Sequence, residues 1–133
     1  MAEYISFQPS DFFNTVLYTG NGTAIGSGGN AITGVGFQPD FTWIKNRDAG
    51  DNHILTDAVK GATKYISSDD ADLQYTNTEY LTAFGADGFT VGSGNPVNTN
   101  TEDFASWNWK MGTTSGLTGG TITPTAYSIS TTP

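Results

Sequence analysis

The chain contains one imidazole, His53, and no thiol, so nucleophilic catalysis would have to combine His53 with a hydroxyl and an orienting carboxylate. No Gly-x-Ser-x-Gly elbow marks such a hydroxyl, and the strand-like pattern around His53 gives it an ordinary surface or half-buried polar role. Asp40, Asp48, Asp51 and Asp57 lie close together in sequence, and two carboxylates flanking a glycosidic bond can act as acid and base. Aspartate also forms turns, which is the plainer expectation for all four. Asp69, Asp70 and Asp72 offer hard oxygens to calcium, but the glycine and distal glutamate of an EF-hand loop are missing. A solvated acidic turn is expected there.

The densest polar group is Lys45-Asn46-Arg47-Asp48. Arg47 is expected to pair in bidentate fashion with Asp48, Asp51 or Asp57 and so fix the following loop, with a contact to a partner as the other reading. Trp43, Trp107 and Trp109 could stack on sugar rings, yet tryptophan in a small cysteine-free domain belongs in the core, so at least two are expected to be structural. A sugar site would sit instead on the asparagine-rich loops, residues 95–100 and 20–30, where amides are free to bond hydroxyls. The candidate contacts to a partner or glycan are Arg47, Asp48, Asn95, Asn98, Asn100 and Tyr127. No catalytic residue, cofactor or metal is expected.

Composition limits what these residues can belong to. A chain of 133 residues makes one domain. Its 17 glycines, 13% aromatic content and 14% charged content describe short strands and tight turns. Five basic against 13 acidic residues give a net charge of −8, and the basic residues form no run, which disfavours nucleic acid and anionic membranes. The absence of cysteine rules out disulfides and thiolate metal sites. No apolar stretch approaches the ~20 residues of a membrane span, and the first residues lack the basic region of a signal peptide, so a soluble protein made in the cytoplasm is expected.

The elements that would position the candidates read as strands. Residues 5–13, with Pro9-Ser10-Asp11, form an N-terminal arm ending in a turn, and residues 13–19 are the first strand. Glycines at 20, 22, 26, 28 and 29 supply turns around short strands at 23–25 and 31–35. Pro39 and Asp40 place the start of pairing at about Phe41. From there Phe41, Trp43 and Lys45 point one way and Thr42, Ile44 and Asn46 the other. Large apolar groups on both faces predict a central strand covered on both sides. Further strands are expected at 52–59 and 64–68, and residues 79–84 are either strand or a helical turn. Asp87-Gly88 turns into a strand at 89–91, residues 92–100 form a loop, and the last strand runs over 102–111. In that strand Ala105, Trp107, Trp109 and Met111 face opposite to Phe104, Ser106, Asn108 and Lys110. About ten short strands with frequent turns predict an all-β, antiparallel sandwich or barrel. Residues 1–12 are then an arm, 13–112 the domain, and 113–133 a Thr/Ser/Gly-rich tail or edge strand anchored by Leu117, Ile122, Tyr127 and Ile129.

Four motifs in order carry a resemblance: residues 13–22 (Phe-Asn-Thr-Val-Leu-Tyr-Thr-Gly-Asn-Gly), residues 34–48 (Gly-Val-Gly-Phe-Gln-Pro-Asp-Phe-Thr-Trp-Ile-Lys-Asn-Arg-Asp), Asp87-Gly88-Phe89-Thr90-Val91-Gly92, and Trp107-Asn108-Trp109-Lys110. Together they resemble a domain of marine tailed-phage virion proteins, and more loosely the SPRY and concanavalin A-like lectin sandwiches. The resemblance implies a concanavalin A-like or SPRY-like jelly roll with extended terminal segments. It also implies a non-catalytic virion structural protein on the particle surface, as capsid decoration or as a tail or fibre accessory, acting by binding other virion proteins. Such domains often recur in tandem, whereas one copy is present here. The alternative is a lectin-like module adhering to host surface glycans. Localisation to the virion and a possible homo-oligomer follow from the same resemblance.

Overall fold

The computed structural model describes residues 8–111. Tyr127 and the rest of the expected tail, like most of the expected arm, lie outside the described residues. Pro9–Asp11 form a 3-10 turn leading into β1 (Phe13–Thr19). There follow β2 (Asn30–Ile32), β3 (Phe41–Asn46), β4 (Ile54–Asp57), β5 (Lys64–Ser67), β6 (Tyr75–Thr76), β7 (Leu81–Gly85) and β8 (Gly88–Val91). A single helical turn, α1 (Asn95–Asn98), precedes β9 (Asp103–Trp109). The nine strands make two antiparallel sheets, one ordered β1-β9-β3-β4-β5-β6 and the other β2-β8-β7, and the fold is a β-sandwich.

The core lies between the sheets. Ile44, Ile54 and Phe104 of the large sheet meet Ile32, Leu81, Phe89 and Val91 of the small one, with Val97 of α1 closing one end. Tyr18 stacks on Phe104 at 5.1 Å between ring centroids. Its hydroxyl donates to the Val97 carbonyl at 2.7 Å, so the buried polar tip is satisfied. Burial pushes the Tyr18 phenol pKa far up.

The connection between β2 and β3 folds under the large sheet and buries Val35 and Phe37. The Asp87 carboxylate at the β7–β8 hairpin holds it by accepting from the backbone N–H groups of Gly34 (3.0 Å) and Gly36 (2.7 Å). These two donors lower the Asp87 pKa. The hairpin itself requires Gly88, whose φ is +152° and where a Cβ would stand 2.0 Å from the Ile32 carbonyl oxygen.

Several expectations change. Residues 23–25 form no strand, because Ile25–Ser27 close a 3-10 turn held by Glu79, whose carboxylate accepts from the Ile25 N–H at 3.0 Å. Residues 79–84 resolve as strand from Leu81 onward, with a bulge between Leu81 and Ala83 that hides the alternation expected of a strand. The 92–100 loop contains α1, entered at Gly94-Asn95-Pro96, as proline in the first helical turn favours. Strand β3 is central, paired to β9 and β4, but only one of its faces is covered by the second sheet. Thr42, Ile44 and Asn46 are buried, while Phe41, Trp43 and Lys45 are half-buried.

Candidate functional site: the outer face of the large sheet

Alternation along β1, β9, β3 and β4 sends one set of side chains outward, away from the core, and register aligns that set into rows. One row is Phe13, Trp109 and Phe41, ending at Asp57 on β4. The next is Thr15, Trp107, Trp43, Leu55 and Ile66. A third pairs Leu17, Ala105 and Lys45. The rings touch across strands: Phe13 to Trp109 at 5.0 Å, Trp109 to Phe41 at 5.2 Å, and Trp107 to Trp43 at 5.9 Å, edge to face. His53 flanks Trp43, and its Nδ1 accepts the indole N–H at 2.9 Å. Leu17 and Met111, at opposite ends of this face, are each 63% exposed.

The inner face of the same strands is partly polar. Thr42, Ser106 and Asn108 are fully buried. The Thr42 hydroxyl donates to the Asn108 carbonyl oxygen at 3.2 Å, the Asn108 amide donates to Ser106 Oγ at 3.1 Å, and Ser106 donates to the Val16 carbonyl at 3.3 Å. At this end of the sheet, hydrogen-bonded polar groups point in and tryptophans point out. All three tryptophans are absent from the core cluster, against the expectation that at least two would lie within it. Aliphatic residues and phenylalanines fill that space, leaving the half-buried indoles as an apolar outer surface.

The sequence-based candidates separate. Asn98 is completely buried, and this corrects its assignment as a partner or glycan contact. Its Oδ1 accepts from the Asn21 backbone N–H and from Asn30 Nδ2, both at 2.9 Å, and its Nδ2 donates to Asn21 Oδ1 at 3.0 Å. Asn98 therefore knits α1 to the residue 20–30 loop. Asn95 and Asn100 are exposed at either end of that turn. Arg47 is exposed and makes no ion pair among the described residues, contrary to expectation. Each intended carboxylate is engaged elsewhere: Asp48 by the Asp103 N–H at 2.7 Å, Asp51 by Asn46 Nδ2 at 2.8 Å, and Asp57 by Lys60 Nζ at 2.8 Å. The following loop is instead held by Lys45, which donates to the carbonyls of Ala49 (3.0 Å) and Asp51 (2.9 Å). Buried Asn46 helps, its Oδ1 accepting from the N–H groups of Asp48 and Ala49. Asp40 accepts from the Met111 N–H at 2.9 Å, so all four clustered aspartates serve structural bonds.

A second concavity, which sequence reasoning missed, opens beside β5 and β6. It encloses about 350 Å³ and is lined by Tyr65, Tyr75, Tyr80, Asp51, Asp70 and Asp72 among others. Tyr65 lies between Tyr75 at 5.6 Å and Tyr80 at 4.7 Å. The only sequence signal was the acidic run at 69–72. Tyr65 and Tyr75 meet through the β5–β6 pairing, and Tyr80 is brought beside them where the Thr63 N–H donates to the Leu81 carbonyl at 2.7 Å. Among the described residues no three His, Cys, Asp or Glu side chains come together to hold a metal ion, and no helix is long and apolar enough to cross a membrane.

Residues 8–133 match the model of a family described as a domain of unknown function, DUF7483. The chain belongs to the DUF7483 family. No curated protein and no solved structure matches it. The DUF7483 match runs past β9 to Pro133, so the segment set apart above as a tail falls inside the family's own boundaries.

Proposed function

We propose that this DUF7483 domain is a non-catalytic structural component of a bacteriophage particle surface, as capsid decoration or as a tail or fibre accessory. It works by protein–protein binding through the outer face of its large sheet. The observation that carries the reading is the placement of Trp43, Trp107 and Trp109 with Phe13 and Phe41 on that face rather than in the core. The tryptophans and Phe41 are only half-buried in the fold, so burying their remaining apolar area against a partner gains further free energy. Tryptophan-rich centres dominate the binding energy of protein interfaces. Cross-strand ring contacts hold the face in one arrangement, so little entropy is lost when a partner docks. The four-motif resemblance described above supports a virion as the setting.

The lectin-like alternative loses Asn98 to an internal role. Binding by protein contact is tested by mixing tagged domain with particles that lack it and sedimenting them, using wild type and Leu17→Glu. Leu17 packs little within the fold, and a charge there should abolish co-sedimentation while leaving the melting curve unchanged. Co-sedimentation of Leu17→Glu at the wild-type level would defeat this reading.

A further inference from the structure

The cleft beside β5 and β6 has a charge that its own surroundings do not balance. Asp51, Asp70 and Asp72 all line it, and among the described residues no lysine, arginine or histidine does. The donors these carboxylates have among the described residues are neutral: Asn46 Nδ2 to Asp51 at 2.8 Å, Asn52 Nδ2 and the Asp72 backbone N–H to Asp70 at 2.7 and 3.0 Å, and the Tyr75 hydroxyl to Asp72. A carboxylate can accept about four hydrogen bonds, so each retains capacity toward the cleft. The wall between them is aromatic, with Tyr65 flanked by Tyr75 and Tyr80. The Tyr75 pKa is raised to about 12, first by its bond to Asp72, and the Tyr80 pKa to about 12, first by burial and then by Tyr65.

Donor-rich, positively charged ligands fit acidic clefts, and tyrosine faces attract cations through the ring quadrupole. The carboxylates do not converge into a metal-holding group. They are distributed around a space at the lower end of the size range for small-molecule pockets. That distribution suits a polyatomic cation better than a point charge. We propose that the cleft lined by Tyr65, Tyr75, Tyr80, Asp51, Asp70 and Asp72 binds a small organic ammonium ion, a primary or quaternary amine with no anionic group beside it. A lipid phosphocholine headgroup carries the same ammonium, but it would bring its phosphate against three carboxylates. This site is separate from the tryptophan face and does not depend on the docking reading.

The test is a titration of the folded, full-length chain with choline chloride, followed by amide and tyrosine ring NMR shifts. The neutral isostere 3,3-dimethylbutan-1-ol, phosphocholine and glucose serve as comparison ligands. Choline should shift resonances of the cleft residues saturably and bind at least about tenfold more tightly than the isostere, roughly 1.4 kcal/mol. Phosphocholine should bind more weakly than choline. Tyr75→Leu and Asp51→Asn should each weaken choline several-fold while the dispersed amide spectrum of the folded chain is kept, because leucine leaves an apolar side chain at the 40% exposed position 75 and asparagine at 51 keeps an acceptor for Asn46. Equal binding of choline and its isostere, no shifts with choline, or tighter binding of glucose than choline would each overturn the proposal. So would choline affinity unchanged in both variants.

Discussion

The indole N–H of Trp43 donates to Nδ1 of His53 at 2.9 Å, with ring centroids 5.7 Å apart. The bond sets the imidazole tautomer, because an accepting Nδ1 leaves the proton on Nε2. It also fixes the rotation of the central indole on the outer sheet face. The lone histidine is thus a support for an aromatic surface and is bonded to no serine hydroxyl among the described residues.

His53→Ala frees the Trp43 indole to turn and lets water reach it. Because the pair is only partly buried, the stability loss should stay near ~1 kcal/mol, and tryptophan emission should move to longer wavelength. A loss above ~3 kcal/mol in urea unfolding would show that His53 does more than orient the indole.

Trp43 and Trp107 meet edge to face at 5.9 Å. A double-mutant cycle with Trp43→Leu and Trp107→Leu should give a coupling energy of about 0.5–1.5 kcal/mol. Strict additivity would mean that the rings are neighbours without being mutually held.

Asn98→Ala removes the acceptor of the Asn21 backbone N–H and of the half-buried Asn30 amide, and leaves a space at the fully buried position 98. A loss of about 2–4 kcal/mol is expected, with Gly22 and α1 losing amide-exchange protection first, since the Gly22 N–H bonds the Asn98 carbonyl. Asn95→Ala and Asn100→Ala, both at exposed sites, should change stability by no more than ~0.5 kcal/mol. Equal effects at all three positions would contradict the structural role given to Asn98.

Acid should loosen the molecule through two carboxylates. Asp87 is lowered by the Gly34 and Gly36 amides, and Glu79 by the Ser93 and Ile25 amides. Both therefore hold protons less readily folded than unfolded. Their contribution is complete above the ordinary carboxylate range, about pH 4 to 4.5, and declines as pH falls toward the folded values. The urea midpoint should drop between pH 5 and pH 3, and Asp87→Asn should lower the midpoint at pH 7 while flattening part of that acid slope. A wild-type midpoint constant from pH 5 to pH 3 would refute this assignment.

Sequence reading succeeded where one strand carried its own signal. The 13–19 strand and the two faces of β3 and β9 followed from alternation and from Pro39-Asp40. Which face turned inward did not follow, because Thr42, Ser106 and Asn108 look like surface residues until their mutual hydrogen bonds are visible. Hydrophobicity alone would put Trp43 and Trp107 inside. The tyrosine cleft was likewise illegible, since Tyr65, Tyr75 and Tyr80 belong to three strands or their flanks and come together only through the β5–β6 pairing and the bond between Thr63 and Leu81. Arg47 misled for a related reason: counting nearby aspartates cannot reveal that backbone amides, Asn46 and Lys60 have already engaged them.

The large sheet places β9 between β1 and β3, so the last strand described joins the first to the rest of the sheet. Ser106 bonds the carbonyl of Val16, 90 residues earlier. A chain that has formed only β1 through β8 therefore has a large sheet running from β3 to β6, in which β1 has no neighbour and the β3 edge stays open. Closing loops of this length is slow, and until β9 arrives both edges can capture a strand from another nascent chain. Completion of the large sheet waits for β9, and the yield of this domain in a cell should depend on how closely the nascent chains are spaced.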